Sequence, residues 1–220
     1  MTAVVTAGGA ALAVRLPQLG AWNARDLGAL ALLVAATIAG EQLHVAVRFG
    51  HQTKHVTVTE AAFAAALLLG VRASVLTLAV GIGVAAVYGA RRVAPYKAAF
   101  NVGSYLAAVT AAELVFAAVR PAGMLMAIVP AMLAFFAVNA STVVGVIALS
   151  EGRSFLSVFA PIAHLEVGHT AVNLAAGVLL ANVWLIVPVA LPVLAAIPPA
   201  ALAAYRMLLR RRPQHHAALA

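Results

Sequence analysis

Long apolar stretches alternate with short polar or basic segments along almost the whole chain. Each stretch approaches the roughly 20 apolar residues that a membrane-spanning helix needs. We therefore predict an all-α fold, a polytopic transmembrane helix bundle of about seven spans within a range of six to eight. The predicted spans cover residues 27–46, 56–71, 73–90, 97–119, 122–149, 156–182 and 184–205.

The joint between the second and third predicted spans decides the span count. The two form one apolar stretch that is interrupted only at Gly70-Val71-Arg72. The second span is short, and it begins with the β-branched alternation from Val56 to Thr59, which is compatible with an extended or re-entrant segment. A helix that enters from the membrane interface is the simpler interpretation. Whether residues 56–90 form one span or two stays open at this stage.

Composition supports the membrane assignment. Hydrophobic residues make up 65% of the 220 positions and charged residues 9%, whereas about a quarter of a soluble domain is charged. We divide the chain into an extracytoplasmic N-terminal segment (1–25), a helical bundle (26–207) and a short basic cytoplasmic tail (208–220). No phosphate-binding loop, dinucleotide-binding glycine motif or serine nucleophile elbow is present in the sequence, so an enzyme is the less favoured interpretation.

Basic residues between the predicted spans orient the bundle. With seven spans, ten Lys and Arg residues fall on one side and four (Arg15, Arg25, Arg72 and Arg120) fall on the other. Cytoplasmic loops carry the excess of Lys and Arg. We therefore expect a multi-pass protein of the cell inner (plasma) membrane, with the N-terminus outside and the C-terminus in the cytoplasm. The net charge of +8 then serves topology and contact with the lipid bilayer, and we expect no nucleic-acid partner.

Ionisable and polar residues inside the apolar spans are the candidate functional residues. A charge at the centre of a bilayer costs about 2.5–3.5 kcal/mol, so such residues usually face the interior of a bundle. Four of the six acids lie in predicted spans. The candidate ligand- or proton-binding residues are Glu166, His169, Asn173, Thr170, His164, Glu41, His44, Glu60, Asn101 and Glu113.

The sixth predicted span contains the densest polar group. Glu166, His169, Thr170 and Asn173 are spaced i, i+3, i+4 and i+7 and therefore share one helix face, whereas His164 points elsewhere. Pro161, just before them, should kink the span. A binding site and a polar stripe that joins neighbouring helices are both open interpretations.

The other candidates lie on different predicted spans. Glu41 and His44 share a face at the end of the first span, and Glu60 should lie at the same cytoplasmic depth. A local ionic cluster there is an alternative to a ligand site. Asn101 stands near the start of the fourth span, and Glu113 stands near its far end.

A carboxylate-bridged di-metal site is a further hypothesis. Glu-x-x-His occurs twice, and two more glutamates stand alone, which is the residue set of a four-helix di-metal centre. The metal candidates are Glu41, His44, Glu60, Glu166 and His169. Glu41 and Glu60 are predicted near the inner face of the membrane, the Glu166 group near its middle, and Glu113 near the outer face. This spread of depths is about 15 Å, at roughly 1.5 Å per residue, and argues against convergence on two ions. The sequence identifies no cofactor.

Residues 35–120 resemble a known kind of membrane module. Glu41, the basic loop from Val47 to His51, the Val/Thr alternation, Arg91-Arg92 and the Lys97-to-Asn101 entry occur in that order. The pattern resembles the multi-span N-terminal sensory regions of bacterial, often actinobacterial, signalling proteins. There, similar modules precede cyclic-di-nucleotide or histidine-kinase output domains. Only residues 213–220 follow Arg212 here, so we expect a module that acts through a partner, is a remnant of a larger protein or has another role.

Three functions follow as hypotheses. The first is an integral membrane sensor or small-ligand-binding module that acts through a cytoplasmic signalling enzyme. The second is a small transporter component, such as the substrate-binding subunit of a multi-subunit uptake system with a transport ATPase. The third is the di-metal enzyme. A homo-oligomer is compatible with each of them.

Overall fold

Helices dominate the computed structural model of the protein. It describes residues 24–42, 45–49, 52–56, 59–70, 78–79, 81–83 and 94–187, with isolated positions near the two ends. The helices are α1 (Ala24–Gln42), α2 (Thr59–Leu69), α3 (Pro95–Val119), α4 (Met124–Glu151), α5 (Phe155–Phe159) and α6 (Ala163–Ile186). A hairpin of two antiparallel strands, β1 (Val45–Phe49) and β2 (Gln52–Val56), connects α1 to α2.

Within the part of the chain that the structure describes, three helical segments are long and apolar enough to cross a membrane: Pro95–Ala122, Met124–Glu151 and Ala163–Ile186. Large apolar side chains on them are exposed, for example Leu133 and Leu149 on α4 and Val172 on α6. Such surfaces are typical of helices that face lipid. The predictions of a helical fold and of membrane-capable helices are confirmed. The count of seven spans remains a prediction.

The pair α3–α4 is an antiparallel helical hairpin. Pro95 occupies the first turn of α3, where its missing N–H costs no hydrogen bond. A 3-10 turn (Arg120–Ala122) joins the helices. Gly123 follows with a φ of 126°, a backbone conformation that residues with a Cβ atom rarely adopt. The reversal therefore needs only a few residues, close to the predicted boundary between residues 119 and 122.

The end of α4 is closed by a glycine cap. Gly152 has a left-handed φ of 63°, and its N–H donates to the carbonyl of Ala148. The N–H of Arg153 donates to the same carbonyl at 2.9 Å, as in other glycine-terminated helices. The predicted fifth span, 122–149, corresponds to this helix, and Pro130 lies within it without ending it.

Pro161 separates two helices where the sequence predicted one kinked span over 156–182. The structure contains the short helix α5, then a turn, and then α6, which continues to Ile186. A proline lacks the N–H that would continue the hydrogen-bond ladder, so the helix ends at this point although Ala160, just before it, keeps helical φ and ψ. The predicted boundary between the sixth and seventh spans, near residues 182–184, was wrong because α6 runs past it.

The hairpin between α1 and α2 was not predicted as paired strands. The register pairs Val45 with Val56 and Phe49 with Gln52. The predicted first span ran to residue 46 and the second began at residue 56, whereas α1 ends at Gln42 and α2 begins at Thr59. The β-branched alternation before Thr59 therefore belongs in part to a strand, the extended alternative that the sequence left open.

Helix α2 lies at the centre of the described structure. Every residue from Thr59 to Leu68 is buried, and the helix packs against α6, α1 and α4. The ring of Phe63 lies 5.5 Å from that of Phe135 on α4, which in turn lies 5.9 Å from Tyr105 on α3. Helix α2 ends at Leu69, and Gly70 follows with a left-handed φ of 64°, so the predicted break at Gly70 is present.

Two predicted regions lie largely outside the described residues. Of the third predicted span, 73–90, positions 78–79 and 81–83 are described, and these are helical. Most of the seventh span and of the N-terminal and C-terminal segments lies outside the described residues.

Candidate functional site

One face of α6 carries the polar residues that the sequence grouped together. Thr170 and Asn173 are buried, and His169 is largely buried, with 12% of its side chain exposed. Gly177 follows one turn after Asn173 on the same face. This face packs against α2, whose sequence from Ala61 to Ala66 consists of alanines and one phenylalanine. Small side chains on α2 let the two helices approach closely.

Asn173, on the neighbouring helix α6, caps the N-terminus of α2. Its Oδ1 accepts a hydrogen bond from the backbone N–H of Ala61 at 3.2 Å. This N–H belongs to the first turn of α2, where backbone donors have no partner within their own helix. Its Nδ2 donates to the carbonyl of His169 at 3.1 Å. The buried amide of Asn173 therefore joins the start of α2 to the middle of the polar face on α6.

Glu60 and His169 form a buried pair beside this contact. Oε1 of Glu60 lies 3.8 Å from Nδ1 of His169, and only 6% of the Glu60 side chain is exposed. The distance is longer than a hydrogen bond and within the range of an ion pair. Glu60 also lies in the first turn of α2, where the helix dipole favours a carboxylate. The pair can bind a proton or take part in binding a small polar ligand.

The predicted separation of Glu60 from His169 was wrong. The sequence placed Glu60 near the cytoplasmic face and His169 near the middle of the membrane, because it treated residues 56–71 as a span that starts at the surface. The helix has 11 residues, which is about 16 Å at 1.5 Å per residue, roughly half of an apolar layer of about 30 Å. The first turn of so short a helix need not lie at the membrane surface.

The contacts between α2 and α6 show that the two helices run parallel. Glu60 and Ala61 meet His169 and Asn173, and farther along both helices Gly177 meets Ala64. A Cβ atom on Gly177 would lie 2.5 Å from the Cβ of Ala64 and 2.7 Å from the carbonyl oxygen of Ala61. The glycine is therefore required for this approach of the two backbones.

The remaining candidates on described helices lie in different environments. His164 is exposed on α6, and Asn101 is exposed on α3. Glu166 and Glu113 are partly buried, and both take part in polar or electrostatic interactions. The side chains of Glu41 and His44 lie outside the described residues.

The metal hypothesis finds no support in the described part of the chain. Within it, no group of three or more His, Asp or Glu side chains is placed to hold a metal ion. Glu60 and His169 meet as a pair, which is fewer protein ligands than structural or catalytic metal sites use.

A second polar cluster joins α3 to α4. The hydroxyl of Ser104, which is buried, hydrogen-bonds to the hydroxyl of Thr142 and donates to Oδ1 of Asn139 at 3.5 Å. The hydroxyl of Thr142 also contacts the carbonyl of Val138 at 3.0 Å. Asn139 and Thr142 are spaced i, i+3 on α4, so both can reach the same residue on α3. Hydroxyl pairs of this kind commonly fix helix packing inside membranes.

Comparison with known proteins gave no match: no protein-family model, no curated protein and no solved structure is significantly similar to the chain. The class that the described residues support is a helical protein with three membrane-capable helices.

Proposed function

We propose that the protein is an integral membrane sensor, in which Glu60, His169 and Asn173 form a binding site for a proton or a small polar ligand. The observation that carries the proposal is the burial of Glu60 beside His169 between two helices. Ionisable groups are costly inside an apolar bundle, and pairs of them commonly mark ligand sites and proton relays. The alternative, a purely structural polar contact, predicts no response to a ligand.

The packing of α2 and α6 supports the seven-span topology. Two neighbouring membrane helices run parallel only if the chain crosses the membrane an odd number of times between them. Helices α3 and α4 account for two crossings, and the sequence predicts the third at residues 73–90. Six spans, with residues 56–90 as one span, would make α2 and α6 antiparallel. We therefore propose seven spans, an extracytoplasmic N-terminus and a cytoplasmic C-terminus in the cell inner membrane.

Reporter fusions test this topology. A fluorescent protein that folds only in the cytoplasm should be bright at the C-terminus and dark at the N-terminus. Alkaline phosphatase, which is active only outside the cytoplasm, should give the opposite pattern. Equal behaviour of both ends would contradict the odd span count.

A sensor of this kind would pass its signal to a partner. Binding at the Glu60–His169 pair changes the charge between α2 and α6, and the packing of the two helices responds to that change. The partner would be a cytoplasmic signalling enzyme that reads the new packing. Co-purification of the tagged full-length protein from its native membrane would identify it.

Uptake of a solute is the second candidate function. The short helix α2, with a polar site at its first turn, is similar to the discontinuous helices that line the substrate sites of many transporters. Co-purification with an ATPase, and ATP-dependent uptake into proteoliposomes, would favour it over sensing.

The site itself is tested with matched variants and the proton as the probe. The apparent Tm of the full-length protein in detergent is measured between about pH 5 and pH 8, where histidine titrates. Glu60→Gln and His169→Ala should alter the pH dependence of the Tm. His164→Ala, which changes an exposed histidine on the same helix, should leave it unchanged. A pH dependence that is the same in all four proteins would contradict the proposed site.

A further inference from the structure

Asn173 is hydrogen-bonded to both sides of the Glu60–His169 pair. Its Oδ1 accepts from the N–H of Ala61, the residue directly after Glu60. Its Nδ2 donates to the carbonyl of His169. Each half of the carboxamide thus holds the backbone next to one of the two ionisable side chains.

We propose that Asn173 is a positioning residue that holds Glu60 and His169 in register and couples the protonation of the pair to the packing of α2 against α6. The inference rests on the proposed function of the pair. It assigns to Asn173 a role in regulating that site: when the charge on the pair changes, the Asn173 contact transmits the change to the start of α2.

The chemistry of the side chain fits this role. A carboxamide carries an acceptor and a donor at the two ends of a short planar group, and both ends are used here. Asn173 is 2% exposed, so water does not compete for these hydrogen bonds. Loss of the side chain would leave the Ala61 N–H in an apolar contact, because α2 has no carbonyl that could accept from its first turn.

The packing around Asn173 limits how α2 can respond. The close contact between Gly177 and Ala64, one turn farther along, leaves no room for the two helices to move closer together there. A change in packing at the pair is then a movement of the first turn of α2 relative to this contact. Rotation about this contact would change the Glu60–His169 distance directly.

Other titratable residues lie on α6 itself and on the helices that pack against α2 and α6. Glu166 lies one turn before His169 on α6, and Glu41 lies near the end of α1, which packs against α2. On α3 the titratable residues are Tyr96, Lys97, Tyr105 and Glu113, whereas α4 has no titratable residue before Glu151. The Asn173 variants leave all of these groups in place, so a change in titration would report on the contact itself.

The test is a pH titration of the full-length protein in lipid nanodiscs. NMR of ¹⁵N-labelled histidine side chains monitors the signal of His169 at each pH. The His169→Gln variant assigns the signal. Asn173→Ala should shift the midpoint of the His169 signal, because it removes both of the hydrogen bonds that hold the pair in register. Asn173→Leu keeps a similar volume and adds no charge but can form neither hydrogen bond, so it should also shift the midpoint. It serves as the second variant if Asn173→Ala does not fold.

Asn182 provides a matched control. It lies on the same helix, is exposed, and its Nδ2 donates to the carbonyl of Val178 at 2.8 Å, the same local i−4 contact that Asn173 makes with His169. Asn182→Ala should leave the His169 midpoint unchanged. A shift equal to that of Asn173→Ala would overturn the inference, because a general loosening of α6 would then explain both.

Glu60→Gln separates this inference from the proposed function. If Glu60→Gln shifts the His169 midpoint and both Asn173 variants leave it unchanged, the pair stands and the role of Asn173 is overturned. If Glu60→Gln also leaves it unchanged, the pair itself is not coupled, and the proposed function fails together with the inference. Shifts in Glu60→Gln and in the Asn173 variants, with none in Asn182→Ala, would support both.

Discussion

Gly177 and Ala64 touch so closely that a Cβ atom on the glycine would lie 2.5 Å from the Cβ of the alanine. Real Cβ atoms do not approach each other that closely. The same added Cβ would also lie 2.7 Å from the carbonyl oxygen of Ala61. The contact fixes the spacing of α2 and α6 one turn beyond Asn173.

Gly177→Ala should destabilise the protein by about 1–3 kcal/mol, because the added methyl group overpacks a contact in which backbone would have to move. Gly168→Ala is the matched control on the same helix, since a Cβ there meets nothing within 4 Å. The control should be neutral, or more stable by up to about 1 kcal/mol through helix propensity. Apparent Tm values in one detergent compare the two, and equal values would contradict the close packing.

The helices of the chain could be predicted because long apolar stretches in a sequence are typical of membrane-spanning helices. The glycine and proline positions that end or break them were also readable, as at Gly70 and Pro161. The shared face of His169 and Asn173 followed from their spacing along one helix. These features depend on local sequence alone.

The partner of that face could not be predicted. Whether Glu60 reaches His169 depends on where α2 begins, and the β-branched residues before Thr59 fit a strand as well as a helix. The sequence gives only a weak indication that Gly177 lies in a helix contact: the residue is one turn after Asn173 on the same helix face. Its role became visible only with the alanines of α2 packed against it.

Gly81→Ala should also destabilise the protein, because a Cβ there would lie 2.5 Å from Cγ2 of Thr37. Thr37 is buried and its hydroxyl donates to the carbonyl of Leu33 at 2.8 Å, so the side chain cannot turn away freely. Gly83→Ala is the control, because a Cβ atom at Gly83 would meet no other atom within 4 Å. We expect a loss of about 1–3 kcal/mol for the first variant and little change for the second.

Thr37→Ala provides a second check on that contact. The substitution removes the Cγ2 atom that the new methyl group would meet, so it should recover part of the stability lost in Gly81→Ala. The double variant should then be more stable than the sum of the two single changes predicts. Strict additivity in apparent Tm would show that the two residues are not in contact.

The ion pair between Arg153 and Glu151 should contribute little to stability. The Nη1–Oε2 distance is 3.0 Å, but 46% and 40% of the two side chains are exposed, and exposed pairs are worth about 0–1 kcal/mol. Glu151→Gln should therefore change the apparent Tm only slightly. Arg153→Ala should cost more, since Nη2 also donates to the carbonyl of Ser157 at 3.0 Å. Equal effects, both abolished by added salt, would contradict this difference.

Ser104→Ala tests the polar contact between α3 and α4. The buried hydroxyl of Ser104 bonds to Thr142 and Asn139 across the helix interface, and hydrogen bonds between membrane helices average about 0.6 kcal/mol, with a maximum near 1.7. The loss of two partners should place Ser104→Ala in the upper half of that range. Ser150→Ala is the control, because this exposed hydroxyl donates only to the carbonyl of Ile147 within its own helix. Unfolding of the purified protein by a denaturing detergent would compare the variants, and a control as destabilised as Ser104→Ala would show that the interhelical contact does not contribute.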